Sequence, residues 1–381
     1  MKCLLHKNQS TSFSTSNRHL HLGLLLLLAL FGAIPLFVFS SDQQQRVATS
    51  FVTRNGQKLL LNGQPFRFIG VNRFNLLTTD TPYHGCEEGW SQQNLDAYFA
   101  EMQSLHITAL RFWAFQSFTE NGTDFSRFDY LVSLAQKYHI FLIPVLENQW
   151  PDCTQGDYKY NTWYHSGYLS PYGNYQLSYK DYVSLVITRY KDNPYILMWQ
   201  LMNEAESKNE NNNPDPEALY NFALDMSAYV KSIDANHLVS LGTIGENQPG
   251  TDDTNYTNLY SISTIDILEI HDYWQEATPL PSFIVQHIAD AATLDKPIFV
   301  GEAGIQTGCA QRNCYSLQQR AILFQAKMDA FFGDNGNGYL IWSYRNAYSS
   351  SDEVWEFDLQ DPLAAIVSKE SLSLLHPTIT R

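Results

Sequence analysis

Short apolar stretches recur along the chain, and segments with the periodicity of an amphipathic helix separate them. The apolar stretches predict eight β-strands, at 66–71, 108–112, 141–146, 197–202, 238–242, 265–270, 297–300 and 339–342. Helices are predicted near 92–105, 126–138, 178–191, 216–233, 281–293 and 315–332, with a weakly patterned one near 257–263 and a last one after Pro362.

Continuous apolar strands that alternate with helices are typical of a parallel sheet buried on both faces. Eight such units in a chain of this length favour a closed (β/α)8 barrel, the TIM barrel, over an open sheet. Ahead of the first strand, Asn55-Gly56 and Asn62-Gly63 are turn signals, and they predict an N-terminal β-hairpin that covers the bottom of the barrel. We therefore predict an α/β protein with a single barrel domain over 46–381.

The N-terminal region is different in character. Residues 20–39 are almost all apolar, they follow Lys2, Lys7 and Arg18, and a polar run comes after them. This order is typical of an export signal, although about 20 apolar residues are also enough to cross a bilayer. We assign 1–41 to a signal peptide and expect a secreted protein, with an uncleaved membrane anchor that leaves the domain outside the cell as the alternative.

Composition narrows the range of partners. The formal net charge is -15 and the sequence contains no basic run, which argues against nucleic acid because phosphate binding needs clustered Lys and Arg. Aromatic residues make up 14% of the chain, more than a core requires, and their flat faces suit stacking on sugar rings. We expect a neutral, planar-faced ligand and a monomeric protein.

Four cysteines follow the apolar segment: Cys86, Cys153, Cys309 and Cys314. Cys309 and Cys314 are close enough in sequence for a small loop disulfide, which leaves Cys86 for Cys153. Four cysteines nevertheless allow three pairings, and all four can also be free thiols.

In a (β/α)8 barrel, catalytic groups project from the carboxyl ends of the strands, and here those ends are unusually polar. The residues in question are Asn72 and Arg73, Arg111 and Trp113, Glu147 and Asn148, Asn203 and Glu204, His271 to Trp274, Glu302, and Trp342 to Tyr344. Glu204 and Glu302, on the fourth and seventh strands, would face each other across the mouth. Carboxyl groups about 5 Å apart cleave a glycosidic bond with retention, whereas a gap of about 7 to 9 Å admits a water molecule and inverts the product.

Six strand-end segments resemble glycoside hydrolase family 5, whose members are (β/α)8 retaining enzymes. These segments are LNGQPFRFIGVN (61–72), LRFWAF (110–115), WQLMNEAE (199–206), EIHDYW (269–274), FVGEAG (299–304) and YLIWSY (339–344). They span nearly the whole chain after the leader, in the right order. The resemblance implies that Glu204 is the acid/base, that Glu302 is the nucleophile, and that Asn203 binds the sugar 2-hydroxyl.

Four further side chains complete the site that the resemblance implies. Arg111 and Tyr273 would hydrogen-bond the nucleophile, His271 would line the same subsite, and Trp342 would be its stacking platform. Arg111 should hold Glu302 ionised. Glu204, with no cation expected beside it, should keep its proton to higher pH.

Other aromatic residues are candidates for either sugar platforms or core packing. Trp113, Trp274 and Trp355 belong to this group. The predicted connection at 149–178 is long and holds six more, Trp150, Trp163, Tyr164, Tyr168, Tyr172 and Tyr175. They would form a cleft wall, or pack the loop on itself above Cys153.

Two departures from the family pattern bear on the substrate: Ala205 stands where many members have Pro, and the seventh strand reads GEAG where β-mannanases often have GEFG. The N-terminal half resembles the β-mannanase branch. We therefore expect a retaining endo-β-1,4-glycan hydrolase acting on mannan, with an endo-β-1,4-glucanase, an exo-acting glycosidase and an inactive carbohydrate-binding barrel as alternatives.

No cofactor is expected, because two carboxylates supply acid, base and nucleophile. His271, Asp272 and Glu302 could suggest a divalent metal site. The spacing matches no compact metal motif, and no second histidine joins them at a strand end, so we predict no metal.

Overall fold

The structure, a computed structural model, describes residues 50–78, 86, 89–275, 279–308, 314–347 and 354–375. The predicted leader at 1–41 and Cys309 lie outside these residues. Every helix in the described part of the chain is too short or too polar to span a lipid bilayer.

Eight parallel strands form one sheet, and each strand overlaps one of the predicted apolar stretches. They are β4 (Phe68–Asn72), β5 (Ala109–Trp113), β6 (Phe141–Val145), β7 (Met198–Gln200), β8 (Leu238–Ser240), β9 (Leu268–Asp272), β10 (Ile298–Ala303) and β11 (Gly338–Ile341). Their order in the sheet is β8-β7-β6-β5-β4-β11-β10-β9. Backbone hydrogen bonds from Asp266 to Val239 and from His271 to Ile244, both 2.9 Å, bring the two ends of this row together. The predicted (β/α)8 barrel is confirmed.

Helices connect the strands and cover the outside of the barrel. They are α1 (Gln92–Ser104), α2 (Ser126–Tyr138), α3 (Asn161–His165), α4 (Tyr179–Tyr190), α5 (Pro216–Ile233), α6 (Thr254–Ser261), α7 (Ser282–Leu294), α8 (Leu317–Gly333) and α9 (Pro362–Leu375). Several start at side-chain caps, among them Ser91 at α1, Asp215 followed by Pro216 at α5, and Ser316 with Gln319 in a capping box at α8. Most bounds agree with the prediction. The weakly patterned helix starts three residues early, and the five-residue α3 was not predicted because it is too short to show a period.

The N-terminal hairpin is confirmed, and a third strand extends it. Strands β1 (Thr53–Asn55), β2 (Lys58–Leu61) and β3 (Gln64–Phe66) form an antiparallel sheet through the two Asn-Gly turns. The Phe66 ring contacts those of Phe68 and Phe141, at centroid distances of 5.9 and 5.3 Å. Since Phe68 and Phe141 start strands β4 and β6, this small sheet covers the amino ends of the barrel strands.

Cys86 and Cys153 form a disulfide, so this pairing, one of those left open, is the observed one. Cys314 is also disulfide-bonded. The Cys86–Cys153 bridge packs with Trp113, Phe115 and Val145 beside the carboxyl end of the barrel. It therefore ties the loop after β4 to the loop after β6 at the mouth.

Candidate active site

An open cleft of about 300 Å³ lies at the carboxyl ends of the barrel strands. The residues that line it are Trp113, Asn148, Trp150, Asp152, Asn203, Glu204, Tyr273, Glu302, Trp342 and Trp355. They come from loops and strand ends distributed around the barrel, which is the usual composition of an active site in this architecture. Most of the site residues expected from the sequence are in this set.

The two candidate catalytic carboxylates face each other in this cleft. Glu204 follows β7, and Glu302 lies on β10 next to a register shift between Val300 and Glu302. One oxygen of Glu204, one oxygen of Glu302 and a ring nitrogen of His271 all lie within 4.8 Å of one another. This spacing suits attack by one carboxylate, and it is too small for the intervening water of an inverting enzyme.

Glu302 is buried, and each of its oxygens accepts a hydrogen bond. Arg111 Nη1 donates to Oε1 at 2.6 Å, and the Tyr273 hydroxyl donates to Oε2 at 2.8 Å. Burial and the nearby carboxylates raise the pKa of Tyr273 well above its ordinary value, so the phenol keeps the proton that it donates. Both contacts are the ones that the resemblance implies, and they fix the orientation of the carboxylate.

Arg111 is fully buried and holds several groups together beneath the cleft. Its Nε donates to Gln200 at 2.7 Å, Nη1 also donates to Asn72 at 2.9 Å, and Nη2 donates to Asn203 at 2.7 Å. The Asn203 amide nitrogen donates in turn to Asn148 at 3.0 Å. The planar guanidinium can satisfy several partners in fixed directions, so it sets the position of Asn203 as well as that of Glu302.

Glu204 has an unusual backbone conformation, and its surroundings influence its pKa in opposite directions. Its backbone adopts a left-handed conformation, with φ 53°, which is uncommon for a residue with a side chain and occurs often at functional sites. Trp150 Nε1 lies 2.6 Å from Oε2 and donates to it, and His271 Nδ1 lies 3.1 Å from Oε1. Burial raises the pKa of Glu204, but the hydrogen bonds and charge of His271, with Trp150 and Arg111, outweigh burial and lower it overall. The expectation that no cation lies near Glu204 was therefore wrong.

The chain matches the family model described as cellulase, glycosyl hydrolase family 5, over residues 60–348. The chain belongs to glycoside hydrolase family 5. It is accordingly a glycoside hydrolase.

Curated relatives within the family are similar over most of their length. The mannan endo-1,4-beta-mannosidase 1 of Arabidopsis thaliana is 28% identical, over 81% of this chain and 85% of the relative. The mannan endo-1,4-beta-mannosidase 2 of Oryza sativa subsp. japonica is 26% identical, over 81% and 80%. Among solved structures, the endo-1,4-beta-mannanase of Rhizomucor miehei aligns with a TM-score of 0.66 at 24% identity, covering 86% of this chain and 99% of that one. This last likeness supports the fold.

His271 is the cation that the sequence-based expectation missed in this family 5 site. Its imidazole is fully buried, and besides Glu204 it faces Glu302 at 3.6 Å and Glu269 at 3.3 Å. Burial lowers the pKa of His271, but the charge of Glu302 and the hydrogen bonds to Glu204 and Glu269 outweigh it and raise the pKa to about 9. The raised pKa favours the positively charged form of the imidazole at neutral pH.

Aromatic rings form the walls of the cleft. Trp342 stacks on Phe74, with centroids 5.9 Å apart and planes within 7°, and lies 6.3 Å from Trp113. Trp355 packs edge-on against Tyr273 on the other side. Three of the four expected tryptophans thus line the cleft, whereas Trp274 lies against Phe283, with centroids 4.7 Å apart.

The long connection after β6 contains both of the arrangements expected for it. Trp163, Tyr164 and Tyr168 are buried and pack around Phe222 of α5, so these rings serve the core. Trp150 instead reaches Glu204. From the sequence, Trp150 was only one of six aromatic candidates in this connection. The signal that the sequence offered for its contact with Glu204 was a tryptophan shortly after the end of a barrel strand.

Proposed function

We propose that this family 5 enzyme is a retaining mannan endo-1,4-β-mannosidase, with Glu204 as acid/base and Glu302 as nucleophile. The observation that carries the proposal is the approach of the two carboxylates to within 4.8 Å in an open cleft. Mannan is favoured as substrate because the curated relatives similar over most of their length are mannan endo-1,4-beta-mannosidases.

The reaction would proceed by double displacement. The Glu302 carboxylate attacks the anomeric carbon and forms a covalent glycosyl–enzyme bond, while Glu204 gives its proton to the departing glycosidic oxygen. In the second step, ionised Glu204 takes a proton from water as that water attacks the anomeric carbon, and the bond to Glu302 breaks. Glu302 returns to its ionised form and Glu204 to its protonated form, so no external oxidant, metal or cofactor enters the balance.

Glu204 must be protonated for the first step, although His271, Trp150 and Arg111 together lower its pKa. Burial is the largest influence on this carboxyl group, and it acts to raise the pKa. A sugar bound in the cleft would remove the water that still reaches Glu204, whose side chain is 17% exposed. We therefore expect substrate binding itself to promote the acid form.

The composition of the cleft is consistent with a neutral glycan. Asp152, Glu204 and Glu302 are acidic, and a uronic acid substrate would be repelled by them. Trp113, Trp342 and Trp355 offer flat faces on which sugar rings can stack. Residues 1–41 would deliver the enzyme to a polysaccharide outside the cell, as a removable leader or as an anchor.

The decisive experiment separates the roles of the two glutamates. Glu302→Ala should lose turnover on every substrate, and azide should restore it with an inverted glycosyl azide as product. Glu204→Ala should retain the first step on an aryl glycoside with a good leaving group, and azide should yield the retained product. Unchanged turnover in both variants would refute the assignment, and the opposite pattern of azide products would exchange the roles.

The substrate is tested with the wild-type protein on mannan, glucomannan and carboxymethyl cellulose. Internal cleavage of mannan with products of several sizes supports an endo-mannanase. Faster release of reducing ends from the cellulose derivative would favour the glucanase alternative. Release of only one terminal unit per event from mannopentaose would identify an exo-acting enzyme.

A further inference from the structure

The carboxylate of Glu269 lies inside the barrel, directly beneath the catalytic cleft, and takes no part in the mechanism above. It sits on β9 two residues before His271, so both side chains point into the barrel. Glu269 is fully buried. An ionised carboxylate at such a position is very unfavourable unless hydrogen bonds and cations compensate it, which makes its presence in a barrel core informative.

Compensation for Glu269 comes from neighbouring strands and from His271. Gln200 on β7 donates a hydrogen bond to Oε2, and the Ser240 hydroxyl on β8 donates to the same oxygen at 2.8 Å. Arg111 Nε lies 4.0 Å from Oε1. His271 Nε2 lies 3.3 Å from Oε1. Four groups thus surround the carboxylate, and its Oε1 atom is directed at the imidazole.

Gly301, immediately before the nucleophile, leaves room for this arrangement. A β-carbon on Gly301 would lie 2.0 Å from Glu269 Oε1, so any larger residue would displace the carboxylate. Asp272, which follows His271 on β9, points to the other face of the strand and pairs with Lys327 at 2.9 Å, apart from this cluster. The glycine at position 301 therefore provides the space that the Glu269 carboxylate occupies.

Both ring nitrogens of His271 consequently face carboxylate oxygens, Nδ1 toward Glu204 and Nε2 toward Glu269. A neutral imidazole has one N–H and one lone pair, so one of these oxygens would meet a lone pair. An imidazolium donates to both. The charged groups that face the ring are Glu204, Glu269 and Glu302, and beyond them Arg111.

We propose that Glu269 is a positioning residue that keeps His271 in the doubly protonated form, so that the imidazole donates to Glu204 and cannot accept the proton that Glu204 must give to the substrate. This inference rests on the proposed role of Glu204 as acid/base. With a neutral His271, the lone pair on Nδ1 would compete with the glycosidic oxygen for the acid's proton. With an imidazolium, that proton is directed to the other oxygen of Glu204, on the side of the cleft that Trp150 borders.

Charge balance supports the same role. Three carboxylates, Glu204, Glu269 and Glu302, face the two cations Arg111 and His271, so one proton on Glu204 makes the cluster neutral. If residue 269 were neutral, the protonated acid would leave a net positive charge in the buried cluster, and His271 is the group that can lose a proton. Glu269 thus allows a charged His271 and a protonated Glu204 to coexist.

The test replaces Glu269 with Gln and follows His271 directly by NMR of histidine-labelled protein, with the signal assigned by its loss in His271→Asn. We expect the wild-type imidazole to titrate near its pKa of about 9 and the Glu269→Gln imidazole to titrate roughly one to three pH units lower. Glu147→Gln is the matched control, because Glu147 is also buried and pairs with Lys159 at 3.5 Å, away from His271. In this control, the titration of His271 should not move.

Turnover gives the second readout. The ratio of the Glu269→Gln rate to the wild-type rate should be highest at acidic pH, where His271 is charged in both proteins. It should fall by about tenfold or more as the pH rises through the lowered pKa of His271. Glu269→Asp, which keeps the charge, should retain most of the wild-type profile.

An unchanged His271 pKa in Glu269→Gln would overturn the proposal, and so would a flat rate ratio. If that variant does not fold, the wild-type titration still decides, because a His271 pKa at or below the ordinary 6.5 is incompatible with an imidazolium held by Glu269. Failure of the proposed function is separate, since it would appear as turnover surviving loss of Glu204 or Glu302 while the His271 titration stays as expected.

Discussion

The two ends of the barrel have the same strand geometry but opposite chemistry. At the amino end, Leu59, Phe66 and Phe141 form an apolar layer beneath the small N-terminal sheet. At the carboxyl end, Arg111 and Gln200 are just as buried, and both make hydrogen bonds with partners in fixed directions. Apolar packing tolerates small displacements, whereas a buried ionic network requires exact partners. Substitutions at the amino end should therefore change stability alone, whereas substitutions at the carboxyl end should change both stability and catalysis.

The strongest test at the carboxyl end is Arg111→Met, which keeps the length of the side chain and removes its charge. Glu302 would lose its buried cation, and unpairing a buried charge typically costs about 3 to 5 kcal/mol. We expect a large fall in the free energy of unfolding by urea and almost no turnover. Arg189→Met is the control, because Arg189 pairs with Asp129 on the surface. Near-normal turnover in Arg111→Met would mean that another group holds Glu302 in place.

At the amino end, Leu59→Ala should separate stability from catalysis. Leu59 is fully buried on β2, opposite Phe66 on β3, and truncating such a side chain costs roughly 2 to 5 kcal/mol. We expect a lower midpoint of urea unfolding with kcat and KM unchanged at 25 °C. Lys58 is the exposed neighbour of Leu59, and Lys58→Ala should change neither the urea midpoint nor the kinetic constants. A fall in kcat for Leu59→Ala would show that the two ends are coupled.

The Cys86–Cys153 disulfide lies at the carboxyl end, and it stabilises the fold by linking two segments that are far apart in the sequence. It spans 67 residues of sequence, and a bond of this kind stabilises by about 2 to 4 kcal/mol. The double variant Cys86→Ser/Cys153→Ser should unfold at lower urea and bind substrate less well, because the bridge packs against Trp113 at the cleft wall. Equal stability of the wild-type and double-variant proteins under oxidising conditions would contradict this role.

The smallest expected effect is that of Trp150→Phe, which removes the indole N–H that donates to Glu204, the proposed acid/base. A hydrogen bond to a charged group contributes about 1.5 to 3 kcal/mol, so kcat/KM should fall by roughly tenfold or somewhat more. The hydrogen bond lowers the pKa of Glu204. Its loss should raise that pKa, and the alkaline limb of kcat/KM, which reports the protonated acid, should move to higher pH. A shift in the opposite direction would exclude Trp150 as a donor to the ionised form.

Much of this architecture was predictable because each strand and helix is determined by the pattern of residues within its own short segment. Apolar strands and amphipathic helices recur with the right lengths, and helix caps such as Ser91 and Ser316 mark their starts. The family resemblance then pointed to Glu204 and Glu302 from the residues that follow two strands. The secondary structure and the two glutamates could be predicted because each depends on short segments that can be recognised one at a time.

What escaped prediction depends on contacts between distant segments. The cation beside Glu204 is His271, 67 positions away, and its charge depends on Glu269, which looks like an ordinary strand residue in isolation. Trp150 and Trp163 lie in the same connection and were equal candidates for the cleft, yet Trp150 contacts Glu204 and Trp163 packs against Phe222. Periodicity carries no information about which ring of a loop turns inward.

The contact between Trp150 and Glu204 also has a spectroscopic consequence. An indole whose N–H points at a carboxylate experiences a different local field once that carboxylate takes up a proton, so its emission should change with the ionisation of Glu204. The difference between the fluorescence of the wild-type protein and that of Trp150→Phe, followed against pH, would isolate this signal from the other tryptophans. The fold thus places an intrinsic optical probe on the group whose ionisation matters most, and no label is required.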